Sequence, residues 1–226
     1  MAEIVVLAEH REEQVREVTL QMLSKAGELG RAHGHRVVAA LLCARSDGLV
    51  GALEGRADEI VVYEDDRLEH FDPDDYADVL GALLAERGPL LVLLGHTAWS
   101  MDLAPALAVR TGHPLATDCV DVLLDGPAVK VVRQVYSGKM FARSAFRSAG
   151  SYLVTVRPGS FPVGTTSGRQ TTIPREGSAD RLTAEAGSRS HPPAAGATAE
   201  MVVARLGLKE VAQVSTGGMR PLLGRR

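Results

Sequence analysis

At 226 residues the chain fits one sizeable core with an appendage and is short for two full domains. Its 25 Lys+Arg against 28 Asp+Glu give a net charge of −3, which excludes the broad basic footprint of a nucleic-acid or membrane-surface binder. Four Tyr, four Phe and one Trp are too few for a base-stacking surface. The near balance hides a split: residues 157–226 carry 10 basic and 5 acidic side chains, residues 1–156 carry 15 and 23, so an acidic body is followed by a basic tail.

Two cysteines, Cys43 and Cys119, stand in unrelated apolar contexts and exclude a disulfide framework or a Cys/His metal cluster. The amino-terminal stretch MAEIVVLAEHREEQ has no basic leader, and its apolar run is too short for a signal-peptide core or a membrane span. A cytoplasmic protein without membrane insertion is the expectation.

Ile4 to Ala8 is a β-branched apolar run that predicts a strand buried on both faces. Val15, Val18, Met22, Ala26 and Leu29 fall at helical spacing, predicting a helix from Glu13 to Leu29 ended by Gly30 and Gly34. Arg36 to Cys43 is a second buried strand, which completes a strand–helix–strand unit. The alternation continues with a short helix at Leu49 to Leu53, a strand at Glu59 to Tyr63, a helix from Asp75 to Arg87 and a strand at Leu90 to Leu94. Such repetition predicts a parallel sheet with helices on both faces. From Asp118 to Val156 the helical period disappears, and Asp125-Gly126, Ser137-Gly138 and Ala149-Gly150 punctuate β-rich runs. That pattern predicts an antiparallel meander whose last strand, Tyr152 to Val156, can join the sheet, with Arg157-Pro158-Gly159 closing the domain. Residues 162–198 are rich in Gly, Ser, Thr, Pro and Ala and read as a linker or extended arm. Met201 to Val214 regains apolar character suited to a docking strand or short helix.

Ligands of open α/β sheets gather outside the carboxyl ends of the strands, which directs attention to Ala8, Glu9 and His10 and to Gly95, His96, Thr97 and Ser100. Pro105 fits the first turn of the following helix if Asp102 is its N-cap. A capping carboxylate there already sits where a phosphate would be drawn, so the segment reads as a capped structural helix in preference to a phosphate site. Neither G-x-G-x-x-G after the first strand nor G-x-x-x-x-G-K-[ST] occurs, which removes the dinucleotide and P-loop fingerprints. The seven histidines make no H-E-x-x-H and accompany no G-x-S-x-G, and lone loop histidines are mostly solvated surface residues. Arg133, Tyr136 and Ser137-Gly138-Lys139 read as a solvated hairpin face, and both cysteines as buried small hydrophobes.

Four segments in order, LAEH (7–10), GHTAWSMDLAPALAVRTGHPLATDCVDV (95–122), RQVYSGK (133–139) and VTVRPGSFP (154–162), make residues 3–162 resemble the amino-terminal domain of the electron transfer flavoprotein alpha subunit. The resemblance implies a Rossmann-like open sheet of the adenine-nucleotide-hydrolase-like kind over residues 1–162, followed by a linker and partner-docking tail over 163–226. It implies an electron transfer flavoprotein beta-type subunit as partner, a dehydrogenase as redox partner, and FAD held mainly by a partner or by a second alpha-subunit domain. That second domain opens on a strand and a Ser-Gly-Gly-Arg-Gly type turn. Only Val214 to Arg220 echoes it, six residues before the end, so the flavin domain is expected to be absent from this chain. The family's AMP belongs to the beta subunit, while Asp102 and Pro105 match the alpha-like helix.

The leading expectation is an alpha-type electron-carrier subunit, not an enzyme in itself, that helps position a flavin. The cofactor-binding candidates are Ala8, Glu9, Gly95, His96, Thr97 and Ser100. Two alternatives stay open: a stand-alone adenine-nucleotide module taking AMP or ATP at those residues, and a structural interaction subunit without ligand.

Overall fold

The structure, a computed structural model, describes residues 1–126, 128–146, 150–165, 171–177 and 213–216, the last two segments in part by backbone alone. Strand β1 (Glu3–Leu7) is followed by two short strands, β2 (His10–Arg11) and β3 (Gln14–Val15), and by helix α1 (Glu17–His33). Then come β4 (Arg36–Cys43), α2 (Leu49–Leu53), β5 (Glu59–Glu64), α3 (Pro73–Arg87), β6 (Leu91–Gly95) and α4 (Ala98–Thr111). The remaining strands are β7 (Leu115–Asp125), β8 (Ala128–Val135), β9 (Met140–Ala145), β10 (Tyr152–Val156), β11 (Arg175–Gly177) and β12 (Gln213–Thr216).

Among the described residues the main sheet runs β11-β5-β4-β1-β6-β10-β7-β8-β9-β12. Pairing is parallel from β11 through β7 and antiparallel from β7 to β12. The expected doubly covered α/β sheet is therefore present. Alternation in β1 shows why it needs cover on both sides: Ile4 and Val6 join the core under α1 and α2, while Val5 and Leu7 join the core under α3 and α4.

The meander needs one correction. Its last strand, β10, is parallel and lies between β6 and β7, in register with β6 from Tyr152 against Leu91 to Val156 against Gly95. All five of its residues are buried, the environment of a central strand and not of a half-wet hairpin.

Helix α1 begins at Glu17, four residues later than its apolar period suggests. Glu12 and Glu13 adopt left-handed φ values of 51° and 60°, folding His10–Arg11 back onto Gln14–Val15, so Val15 belongs to a hairpin. Only Gly34 ends the helix, at φ 69° with its N–H on the Gly30 carbonyl. Gly30 lies within it, where a Cβ would stand 2.8 Å from the His35 carbonyl oxygen. Its role is close packing of helix end against strand.

Helix α4 begins at Ala98 with Thr97 as N-cap, so Asp102 is an exposed interior residue and Pro105 lies inside the helix. The cap assignment from Pro105 fails because the helix tolerates the lost N–H: the carbonyl left over belongs to Met101, a residue that is 58% exposed on the outer face of the helix. Asp102→Ala should accordingly change stability by less than about 0.5 kcal/mol, whereas loss of a real cap costs about 1 kcal/mol. Urea denaturation midpoints separate the two.

At the amino ends of the strands Arg87, the last residue of α3, forks onto two carboxylates. It donates to Glu3 at 2.8 and 3.0 Å and to Glu59 at 2.8 and 2.7 Å, while Arg36 approaches Glu59 at 3.1 Å. The stretch after Phe161 lies against the body: Gly164 donates to Ser24 at 2.7 Å and accepts from Arg56 at 2.6 Å, and Thr171 bonds Gly55 and Ala57. Of the expected docking segment Met201 to Val214, only Gln213 and Val214 fall within the described residues, where they open β12 against β9. No helix among the described residues is long and apolar enough to cross a membrane.

Candidate functional site

The chain moves from β1 outward through β4 to β5, then returns to β6 on the other side of β1. The switch point of the sheet thus lies between β1 and β6, where neighbouring connections diverge and leave an opening. A crevice of about 680 Å³ occupies this place, with His10, Arg11, Arg16, His70, His96 and Trp99 in its lining.

Behind the lining residue Thr97 lies a buried carboxylate. Glu9 lies two residues past the end of β1 and is fully buried. Thr97 donates its hydroxyl to Oε2 at 2.9 Å, Ser100 approaches Oε1 at 3.5 Å, and Arg16 stands 3.4 Å from Oε2. Burial pushes the Glu9 carboxyl above its ordinary value, against the opposing pull of Thr97, Arg16, Ser100 and Gly95. The backbone of Glu9 is held as well, its N–H donating to Thr19 Oγ1 at 2.9 Å and its carbonyl accepting from the Arg16 N–H at 2.8 Å. Thr97 makes no side-chain cap on α4 because its hydroxyl is turned to Glu9.

Gly95 completes the arrangement. A Cβ at this position would lie 2.7 Å from Glu9 Oε1 and 3.0 Å from Val18, so only a residue without a side chain lets the carboxylate reach its donors.

Of the six candidates, Glu9, Gly95, Thr97 and Ser100 meet in this one cluster. Ala8 is buried beneath it with its N–H on the Ala40 carbonyl at 2.8 Å. His96 points sideways, its Nδ1 3.0 Å from Thr155 Oγ1. Only His96 and Thr97 of the six line the crevice.

Sequence reasoning did not single out a second network on the β7 side. Asp118, at a left-handed φ of 57°, takes a bidentate pair of bonds from Arg157 at 2.8 and 2.6 Å, and its N–H donates to Thr155 Oγ1 at 3.0 Å. Bonds from Arg157 hold the Asp118 carboxyl below its ordinary range. The available signal was Thr155, a polar residue in the run YLVTV, which is 1% exposed and therefore needs partners. An aromatic group also escaped notice: Phe71 stacks on Trp99 at 4.6 Å, with Tyr76 and His10 edge-on to the Trp99 ring at 5.6 and 5.8 Å. They come from β2, the segment just before α3, α3 itself and α4, and only the packing of these elements brings them together.

Cys119 is buried, with its thiol pushed up to about 12 by desolvation, and acts as core. Among the described residues no group of three or more His, Cys, Asp or Glu side chains is placed to hold a metal.

A flavin or adenine nucleotide at the switch point would need donors free to meet its phosphates. Here Glu9 engages the hydroxyls of Thr97 and Ser100, so those two side chains are not free to meet a phosphate.

Sheet order and crevice define a doubly wound, mostly parallel α/β protein with a buried, hydrogen-bonded carboxylate beside its switch point. The model of the electron transfer flavoprotein domain matches residues 4–186, and the chain belongs to that family, in the form of the alpha subunit's amino-terminal domain. It is 33% identical over 162 residues to the electron transfer flavoprotein subunit alpha of Methylophilus methylotrophus, covering 71% of this chain and 50% of the relative. Protein FixB of Clostridium saccharobutylicum is 31% identical over 165 residues, 72% of this chain and 49% of that protein. The alpha subunit of Bacillus subtilis (strain 168) is 31% identical over 156 residues, 69% and 47%. The chain thus spans about half the length of the curated relatives it matches.

Proposed function

We propose that the chain is an alpha-type subunit that pairs with a beta-type electron transfer flavoprotein subunit and helps position an FAD receiving electrons from a dehydrogenase. The observation that supports this most is the family match over residues 4–186 together with relatives named as alpha subunits. Electron transfer needs a cofactor held at a fixed distance in a tuned environment more than it needs acid or base groups, so a rigid sheet with covered faces suits the task. We place the flavin mainly on the partner or on a further alpha-type domain. Residues 1–162 supply the platform and the basic stretch beyond them supplies the docking contacts. His96 and Thr97 are the candidates that can meet a ligand from the crevice. By this reading the chain is a carrier subunit and not an enzyme by itself, working in the cytoplasm.

Co-expression with a candidate beta-type subunit, followed by size-exclusion chromatography and a visible spectrum of the complex, tests the assignment. The expected result is one co-eluting complex with flavin absorbance that bleaches when a dehydrogenase and its substrate are added. Lack of co-elution together with a colourless mixture would sink the reading.

A further inference from the structure

We propose that the outer edge of β5 is a strand-addition site that the chain fills in cis with residues 171–177, and that this guard keeps a second copy of the chain from pairing there. The inference goes beyond the assignment above and concerns the chain alone, so it stands or fails without the beta-type partner.

Three observations carry it. The first is the edge itself: β5 has the sequence EIVVYE, Ile60 to Tyr63 are fully buried, and β4 pairs with one side of the strand only. A β-branched apolar strand with no proline of its own is what an unguarded edge offers to another chain. The second is the pairing. Ile60 and Val62 donate their N–H groups to the carbonyls of Thr172 and Pro174 at 2.9 and 3.1 Å, the Thr172 N–H donates to the Asp58 carbonyl at 3.1 Å, and β11 runs parallel from Arg175 against Val62 to Gly177 against Glu64. The added strand is itself a poor edge, three residues long and preceded by Pro174, which has no N–H to give. The third is the way the segment is carried there. Gly159 and Gly164 donate their N–H groups to Gln21 and Ser24 of α1 at 2.8 and 2.7 Å, and Lys25 Nζ stands 5.4 Å from the Phe161 ring. Arg56 then donates to the Gly164 carbonyl at 2.6 Å, and Thr171 Oγ1 bonds the Gly55 N–H and the Ala57 carbonyl at 3.0 and 2.9 Å.

A parallel edge strand leaves alternate amides facing outward, and in β5 these are the amides that Thr172 and Pro174 satisfy. Clasps on α1 and ahead of β5 keep the segment close to the edge, so it competes as an intramolecular ligand and a second copy in trans is excluded. Once the clasps are removed, that advantage falls and the same edge is open to pairing between copies.

The test uses the full chain and the double variant Arg56→Ala/Thr171→Val, which removes three side-chain bonds that fasten the segment and no buried apolar side chain. Amide hydrogen exchange reads Ile60 and Val62, and sedimentation velocity over a range of concentrations reads association. In dilute solution the variant should exchange these two amides at least about tenfold faster than wild type, with the amides of β1 unchanged. It should also associate more strongly than wild type, and raising its concentration should restore protection at Ile60 and Val62 as a second copy takes the edge. Wild-type amides at these positions that exchange as fast as exposed loop amides would overturn the proposal, as would a variant that exchanges them no faster or one whose opened edge stays monomeric. Should the double variant not fold, Thr171→Val alone in the same two measurements decides.

Discussion

Arg87→Met should lower the stability of the chain by about 3 kcal/mol, the lower end of what breaking a buried ion pair costs. The side chain of Arg87 is 17% exposed and those of Glu3 and Glu59 are 18% and 9%. Its guanidinium donates in pairs to both carboxylates, a match of fork geometry that Lys cannot reproduce. Removing it leaves two carboxylates facing each other with only Arg36 to offset them, and that residual partner is the reason for choosing the lower figure. The network ties the end of α3 to the first residues of β1 and β5, so its loss loosens the end of the sheet away from the crevice.

The acid limb of the stability curve provides a second reading of the same site. Glu59 is held below its ordinary 4.5, first by hydrogen bonds from Arg87 and further by the charges of Arg87 and Arg36. A carboxylate with a depressed folded pKa contributes stability that is complete above the unfolded value and is lost as pH falls through the folded one. Wild type should therefore lose this contribution below about pH 4.5, and the gap to Arg87→Met should narrow there. Urea midpoints at neutral and acidic pH measure both effects. A neutral-pH difference below about 1 kcal/mol would mean the network behaves like an exposed ion pair.

The other large effect is expected at Gly95. Gly95→Ala should cost about 1–3 kcal/mol, the usual penalty for forcing a methyl group into a packed interior. The new carbon would overlap Glu9 Oε1 and touch both methyls of Val18, one from the end of β1 and the other from α1, so neither neighbour can retreat freely. Part of the penalty is the displaced carboxylate and the hydroxyls of Thr97 and Ser100 that lose it. Glu9→Ala in the same chain should therefore recover a measurable share of the cost of Gly95→Ala, and a double-mutant cycle reads the coupling. Strict additivity would show that the glycine serves only the packing of Val18.

How far the residues spoke for themselves follows from how local each interaction is. The runs Ile4 to Ala8, Arg36 to Cys43 and Leu90 to Leu94 declared buried strands because continuous β-branched and aliphatic residues have no polar face to give to water. Boundaries set by a single side chain were less readable. Pro105 pointed to Asp102 as a cap, yet a helix can carry a proline where the carbonyl it deprives is exposed, and the exposure of Met101 is a tertiary fact. Val15 fitted the helical period, but two left-handed glutamates ahead of it turned the chain.

Sequence by itself therefore determined the class of sheet, the family, and the carboxyl ends of β1 and β6 as the place to look, because periodicity and short ordered motifs are properties of neighbours along the chain. Only the tertiary structure decided that β10 lies between β6 and β7, that Thr155 and Asp118 share a network, and above all that Glu9 reaches across to Gly95, Thr97 and Ser100. Those residues are more than eighty positions from Glu9. Their meeting depends on the crossover that sets β6 beside β1, and on a missing side chain whose meaning appears only when the carboxylate is seen in its space.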